Sequence, residues 1–220
     1  MTLDHIDAYL FHRSLPFVYE ICRMVFPVFV FVLAHNLAKP SAFERGVHAR
    51  VMRRLAVFGI LALASYTALH HEIGGHGWLP LNILFTLMLV TACVYFLECA
   101  YTRTDNTCRF VLGGKFGCYL VSISLFVFYG AWVEYGWWGV LTGITAWWYY
   151  KYPDCFRGLC VLLAIALLWV PNGNLWAVMS LPLLAVAPYA NVKIPRLRWV
   201  FYAYYPAHLA ILWGIVAVFR

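Results

Sequence analysis

The sequence predicts an all-α fold, a polytopic transmembrane helical bundle with about eight to nine membrane helices. Of its 220 residues, 64% are hydrophobic and only 11% are charged, whereas an average soluble domain has roughly 25% charged residues. A soluble globule of this size needs far more polar surface, so the composition excludes one. Only helices and closed barrels satisfy their backbone hydrogen bonds in lipid, and the apolar runs lack the alternation of barrel strands.

The apolar runs, taken in chain order, predict the individual helices, since a spanning helix needs about 20 apolar residues. They cover residues 17–37, 55–69, 81–101, 116–132, 137–150, 159–170, 175–189 and 199–219. Several runs near 15 residues are short for a full span, so the prediction is a range rather than one number. The runs leave no room for an extramembrane domain, and residues 1–220 are predicted to form a single integral membrane domain.

Lys and Arg residues are concentrated in alternate loops. Thirteen of the sixteen fall in the loops that follow the first, third, fifth and seventh runs. By the positive-inside rule this face is cytoplasmic, which puts residues 1–16, the loop 70–80 and the C-terminus outside. Because topology accounts for the net charge of +7, we expect membrane lipids as partners and no nucleic acid.

The cysteine and histidine patterns predict neither a disulfide framework nor a metal site. The seven cysteines are odd in number, include no Cys-x-x-Cys pair and lie mostly inside apolar runs. In the outer loop, His70, His71, Glu72 and His76 lack the spacing of a standard zinc ligand set. We therefore expect no bound metal.

Arg23 is the first candidate site residue, because an ionisable side chain inside a membrane costs about 2.5 to 3.5 kcal/mol on insertion scales. It lies about six residues inside the first run. Pro27, four positions later, lacks the N–H that would bond the Arg23 carbonyl, so a kink and a polar spot coincide. The two interpretations are a buried polar site and a snorkelling Arg paired with Glu20.

His208 is the second candidate and lies near the middle of the last run. Pro206, just before it, frees the carbonyl of Tyr202. A neutral imidazole bonded to a facing helix would also explain a buried histidine. A second proline-perturbed polar site in one small bundle favours a functional role instead.

Asp4 and His5 are the third candidate, on the predicted outer side. A carboxylate near a histidine raises its basicity and fixes its orientation, which suits a general base with a pKa near 7. Adjacent residues on a helix do not face each other, however. A solvated terminus is therefore the alternative interpretation of this dipeptide.

The first basic loop is the fourth candidate. Lys39 begins it, and Arg50, Arg53 and Arg54 follow at helical spacing as the second run begins. Guanidinium groups bind phosphates bidentately, so this cluster suits a phosphate-bearing cofactor that approaches from the cytoplasm, such as coenzyme A. The alternative is that these charges serve membrane topology alone.

Seven short motifs occur in a specific order over nearly the whole chain. They are Leu3-Asp4-His5-Ile6, Cys22-Arg23-Met24-Val25-Phe26-Pro27-Val28-Phe29, Asn36-Leu37, Arg54-Leu55, Asn82-Ile83-Leu84-Phe85, Tyr135-Gly136 with Gly139, and Phe201-Tyr202-Ala203-Tyr204-Tyr205-Pro206-Ala207-His208-Leu209. In this order they resemble the TraX family of bacterial conjugation proteins, the pilin N-terminal acetyltransferases, which resemble the wider membrane acyltransferases. The chain departs from the family pattern at Cys22, where a glycine usually precedes the arginine.

The resemblance implies transfer of an acetyl group from acetyl-CoA, as co-substrate, to the N-terminal amine of a pilin subunit. It also implies a multi-pass protein of the bacterial inner membrane. Acetyl-CoA is cytoplasmic, whereas a processed pilin presents its amine outside. The bundle must therefore carry the acetyl group across the membrane.

The resemblance also suggests roles for the candidate residues. His5, aided by Asp4, would deprotonate the amine near the outer end. The thioester carbonyl would be polarised, or the oxyanion stabilised, by Arg23, Asn82 and His208. The cofactor phosphates would be held at the cytoplasmic end of the site by Lys39, Arg50, Arg53 and Arg54. Direct transfer and an acetyl-histidine intermediate both remain open.

Two other functions fit the same pattern. A membrane O-acyltransferase acting on a sugar or lipid hydroxyl would share the donor side of the site. A small transporter would also bury Arg23 and His208, but transporters usually show inverted repeats or paired acidic relays. Only Glu98 and Glu134 lie near membrane depth here.

Overall fold

A computed structural model describes residues 1–72, 79–102, 114–189 and 199–218 of the chain. These residues form helices, with one isolated bridge between Leu81 and Val133 and no β-strand among them. The helices are α1 Thr2–Leu10, α2 Pro16–Cys22, α3 Val25–Leu37, α4 Val47–Glu72, α5 Ile83–Thr102, α6 Lys115–Tyr129, α7 Gly136–Lys151, α8 Cys155–Leu167, α9 Trp169–Asn172, α10 Ser180–Val186 and α11 Val200–Val218, with short 3-10 turns at Gly130–Trp132, Trp176–Met179 and Ala187–Tyr189. The predicted all-α class is confirmed.

Six segments of the described chain are long and apolar enough to cross a membrane. They are Pro16–Leu37, Val47–Glu72, Ile83–Tyr101, Lys115–Trp132, Cys155–Asn172 and Val200–Val218. The predicted runs 137–150 and 175–189 correspond to shorter helices, α7 with 16 residues and the apolar helix Trp176–Val186. A multi-pass membrane protein is therefore confirmed. The predicted number of eight to nine membrane helices is not confirmed, since the described residues contain six helices of full spanning length.

The outward faces of these helices are apolar. Phe116 is 70% exposed, Phe128 69% and Ile211 63%. Large apolar side chains in such numbers on the surface of a soluble protein would drive association. In this protein they form the face that contacts lipid acyl chains.

Helix α5 lies at the centre of the bundle and contacts α3, α4, α6 and α7. Glycines allow the closest approach: a Cβ at Gly143 of α7 would lie only 2.5 Å from the Val90 side chain of α5. Small residues at helix crossings replace the hydrophobic driving force that is missing in lipid. Helix α11 packs on α4, and the short α1 packs on α11 and α2.

The break predicted at Arg23 is confirmed. Helix α2 ends at Cys22, and α3 begins at Val25 with Pro27 in its first turn. Proline is tolerated there because the first N–H groups of a helix have no intrahelical acceptor. The break lets the Arg23 side chain turn toward α1 instead of lying along a continuous helix.

Some sequence predictions fall outside the described residues. The outer-loop residue His76 lies in the range 73–78, and the basic residues of 103–113 and 190–198 are likewise outside.

The described basic residues Lys39 and Lys151 follow α3 and end α7, respectively. Lys151 forms an ion pair with Glu98 of α5, so this acidic residue neutralises a neighbouring cation.

Candidate active site

His5 and His208 lie in direct contact although 203 positions separate them. His5 Nδ1 and His208 Nε2 are 2.9 Å apart, and the two rings are nearly parallel. Helix α1 supplies His5, and the middle of α11 supplies His208. A hydrogen bond between the Thr2 and Tyr204 hydroxyls, at 2.7 Å, also joins these helices.

The hydrogen bonds fix which ring nitrogen carries each proton. His208 Nδ1 lies 2.9 Å from the Tyr204 carbonyl oxygen, which can only accept, so His208 Nδ1 must donate. Neutral His208 then accepts at Nε2 from His5 Nδ1. This leaves Nε2 of neutral His5 with a free lone pair, which is the property of a general base.

His5 is neutral in this environment. Burial is the largest cause that lowers its pKa from 6.5 to about 3, and the neighbouring His208 is the second cause. This differs from the pKa near 7 expected beside a carboxylate. The physical reason is that Asp4 bonds elsewhere, which leaves the His5 ring without a negative neighbour to stabilise its charged form.

Asp4 pairs with Arg23. An Arg23 guanidinium nitrogen lies 2.5 Å from the Asp4 carboxylate, and Arg23 Nε donates to the Tyr19 carbonyl at 3.3 Å. The guanidinium also lies 4.3 Å from the centre of the Tyr19 ring. Arg23 thus holds α1 against the break between α2 and α3, and its partner is Asp4 rather than Glu20.

Asn82 is fully buried, and its amide is engaged at the start of α5. Its Nδ2 donates to the Gly59 carbonyl at 3.0 Å, and its Oδ1 accepts from the Leu84 N–H at 3.1 Å. These contacts are those of a helix N-cap that also joins α4 to α5. The second Nδ2 hydrogen remains for its predicted part in oxyanion stabilisation.

A small cavity of about 160 Å³ lies beside His208. Its walls come from α1, α3, α5 and α11. Most of the lining is apolar, and the polar side chains in it are Thr2, Tyr204, Tyr205 and His208. The cavity therefore offers a largely apolar chamber next to the histidine pair.

A larger cavity of about 890 Å³ lies between α3, α4 and α11 on the predicted cytoplasmic side. Three of the four predicted cofactor residues line it: Lys39, Arg50 and Arg54. Arg45, which the sequence reasoning left out, lines it as well. Arg53 is exposed and does not, because it is adjacent to Arg54 on α4 and therefore points about 100° away.

The two cavities meet. Phe29, Leu87 and Phe201 line both of them, and the rings of Phe29 and Phe201 are 5.0 Å apart. Arg54 lies 5.8 Å from the Tyr202 ring on the cytoplasmic side. Tyr202 and His208 are six residues apart on α11, which is about 9 Å along the helix axis. A short apolar constriction thus separates the cations from the histidines.

Glu134 is a second acidic residue at the site that the sequence reasoning did not assign. It lies in the turn before α7, where its N–H donates to Leu81 O at 2.9 Å and its carbonyl accepts from Thr86 at 2.7 Å. Arg23 and Asp4 lie within electrostatic reach of its carboxylate. The sequence signal that could have identified Glu134 is its position as a lone acidic residue between two long apolar runs.

Burial raises the pKa of Glu134 from 4.5 to about 7, and Arg23 only partly offsets this. Between these pH values the unfolded chain releases the proton and the folded protein keeps it, so stability falls as pH rises through this window. We expect Glu134→Gln to stabilise the protein by about 3 kcal/mol at pH 8 and by little at pH 4.5. Unfolding in detergent at both pH values measures this.

Exposed Glu44 provides the control for that measurement, since Glu44→Gln removes a carboxylate that is surrounded by water. Its effect should be small at both pH values. Equal stabilisation by Glu134→Gln at pH 4.5 and pH 8 would contradict the assigned pKa.

Comparison with known proteins gives one match. The family model described as TraX protein matches residues 1–216. No curated protein and no solved structure matches the chain. The matched range includes α1, the break at Arg23, the basic cavity and His208. The chain therefore belongs to the TraX family, and this membership supports a conjugation-related membrane protein that modifies pilin.

Proposed function

We propose that this protein is a transmembrane acetyltransferase of the bacterial inner membrane. It moves an acetyl group from cytoplasmic acetyl-CoA to the N-terminal amine of a pilin subunit at the outer face. One observation carries this proposal: a cation-lined cavity lies next to a small apolar chamber at a histidine pair, with Phe29, Leu87 and Phe201 lining both.

The donor side uses charge and shape together. Acetyl-CoA carries several phosphates and a long, flexible thiol arm. Lys39, Arg45, Arg50 and Arg54 would hold the phosphates, as guanidinium and ammonium groups do in phosphate sites. The arm would pass Phe29 and Phe201 and present the thioester in the small chamber.

The acceptor side uses the free lone pair of His5. As the amine nitrogen attacks the thioester carbonyl carbon, a C–N bond forms and the amine proton passes to His5 Nε2. The C–S bond then breaks, and the departing thiolate takes up that proton to become the thiol of coenzyme A. The same burial that keeps His5 neutral also favours the uncharged, nucleophilic form of the amine.

His208 assists as the partner of His5. When His5 accepts a proton at Nε2, its Nδ1 proton can shift to His208 Nε2, and the Tyr204 carbonyl stabilises the resulting imidazolium. The pair thereby spreads the positive charge over two rings. General base catalysis of this kind contributes about 10²- to 10⁴-fold.

A reconstituted assay tests the proposal. The protein is placed in lipid nanodiscs with acetyl-labelled CoA and a peptide with a free N-terminal amine. We expect label on the α-amine and none on the same peptide with a blocked N-terminus. Label on a sugar or lipid hydroxyl instead would identify an O-acyltransferase, and an absence of transfer to any acceptor would contradict the proposal.

Charge removal in the basic cavity tests the donor site separately. We expect Arg50→Gln and Arg54→Gln each to raise the KM for acetyl-CoA about tenfold, because each loses a charge-assisted hydrogen bond to phosphate. The kcat should stay unchanged, since neither residue reaches the histidines. Arg53→Gln should have a smaller effect, and exposed Lys115→Gln on the same side should have none. An equal KM in all variants would place the phosphates elsewhere.

A further inference from the structure

We propose that Tyr205 is a further catalytic residue, whose hydroxyl donates a hydrogen bond to the thioester carbonyl oxygen and stabilises the oxyanion. This inference rests on the proposed acetyl transfer and adds a group that the motifs do not assign. The observation behind it is a buried hydroxyl at the chamber that has no partner in the described part of the chain.

Tyr205 is only 4% exposed. Leaving a buried hydroxyl unbonded destabilises the folded state, so folded proteins rarely retain one without a reason. The Ile83 N–H at the first turn of α5 lies close to the phenol oxygen but does not reach hydrogen-bond geometry. The Glu134 carboxylate and the Tyr66 and Tyr9 hydroxyls act on the phenol electrostatically, but none of them forms a hydrogen bond with it.

Tyr205 lies next to the histidine pair. It precedes His208 by three residues, which puts both side chains on one face of α11. The Tyr205 ring meets the His208 ring edge to face at 5.3 Å and lies 6.4 Å from the His5 ring. Both Tyr205 and His208 line the small chamber where the thioester would arrive.

The other polar groups lining the chamber are already engaged. The Thr2 and Tyr204 hydroxyls bond each other at 2.7 Å in an exposed position, so the hydrogen that this bond leaves over is not a buried donor. His208 donates to the Tyr204 carbonyl and contacts His5 through its other nitrogen. Among the lining residues, Tyr205 thus keeps a buried donor available for an incoming carbonyl.

The two other predicted oxyanion donors lie outside the chamber lining. Arg23 is paired with Asp4 and with the Tyr19 carbonyl. Asn82 donates to Gly59 across helices. Both keep further N–H donors, but neither side chain lines the chamber, whereas Tyr205 lines it with a hydroxyl that has no partner among the described residues.

The hydroxyl acts without losing its proton. When the amine nitrogen attacks, the carbonyl π electrons move onto oxygen, and the Tyr205 O–H bond points its hydrogen at the new charge. When the C–S bond breaks, these electrons reform the carbonyl of the amide. A preorganised donor in such a low-dielectric chamber contributes about 10²- to 10³-fold to the rate.

The test is Tyr205→Phe in nanodiscs, assayed with acetyl-labelled CoA and a peptide amine. We expect kcat to fall about 10²- to 10³-fold with the KM for acetyl-CoA unchanged. The midpoint of thermal unfolding should stay equal or rise, because the variant removes an unbonded hydroxyl. Tyr129→Phe, on the lipid-facing side of α6, is the control for loss of a phenol hydroxyl and should behave as the wild type.

Three results would overturn the assignment. A Tyr205→Phe enzyme with kcat within about twofold of the wild type would show that the hydroxyl does not reach the reacting carbonyl. A lowered unfolding midpoint together with a raised KM would show a structural role. A wild-type protein that transfers no acetyl group would instead overturn the proposed function, and this assignment with it.

Discussion

We expect replacement of either His5 or His208 by alanine to lower the rate of acetyl transfer about 10²- to 10⁴-fold, and replacement of both to lower it no further. The reason is the hydrogen bond between the rings. Loss of His208 leaves His5 with neither a fixed tautomer nor a proton partner. Residues that act as one unit show strongly non-additive losses.

Single-turnover rates with saturating acetyl-CoA in nanodiscs measure this effect. His12→Ala is the matched control, since His12 follows α1 on the same segment but is exposed. It should retain the wild-type rate. Losses that multiply in the double variant would show that the two histidines act independently and would remove the relay from the mechanism.

We expect neutralisation of one partner of the Asp4–Arg23 pair to destabilise the protein by about 3 kcal/mol. Both side chains are largely buried, at 23% and 12% exposure. Either Asp4→Asn or Arg23→Gln leaves a poorly solvated charge without its partner, which costs far more than the pair itself contributes. Transfer activity should fall as well, because the pair holds α1 and therefore His5 in place.

The double variant Asp4→Asn with Arg23→Gln should recover most of the lost stability, since it leaves no uncompensated charge. Equilibrium unfolding in mixed micelles measures all three variants. Arg157→Gln is the control: Arg157 pairs with Asp154, which is 44% exposed, and its loss should cost at most about 1 kcal/mol. Equal losses for Arg157→Gln and Arg23→Gln would contradict this account.

The helices were predictable from sequence because lipid imposes a strict length and polarity on them. The long apolar runs are mostly helical, and Pro27 marked the break at Arg23 that divides the first run into two helices. The prolines also pointed to Arg23 and His208, because both sites combine a freed carbonyl with a polar side chain. Local chemistry was enough for these conclusions.

The contacts within the site were not predictable in this way. His5 meets His208 only because α1 folds back onto α11. Asp4 was expected to serve its neighbour His5, yet successive helical residues point in different directions, and the carboxylate reaches Arg23. In the basic loop, charge alone could not separate Arg53 from Arg54, since only the rotation of α4 decides which side chain lines the cavity.

The three apolar side chains at the junction of the two cavities have a consequence for the cell's energy supply. A passage that crosses a membrane would dissipate the proton motive force if water filled it from end to end. Phe29, Leu87 and Phe201 present hydrocarbon between the two cavities, and apolar constrictions exclude water and ions by dewetting. Between turnovers, the protein can therefore remain an electrical insulator although its interior is hollow.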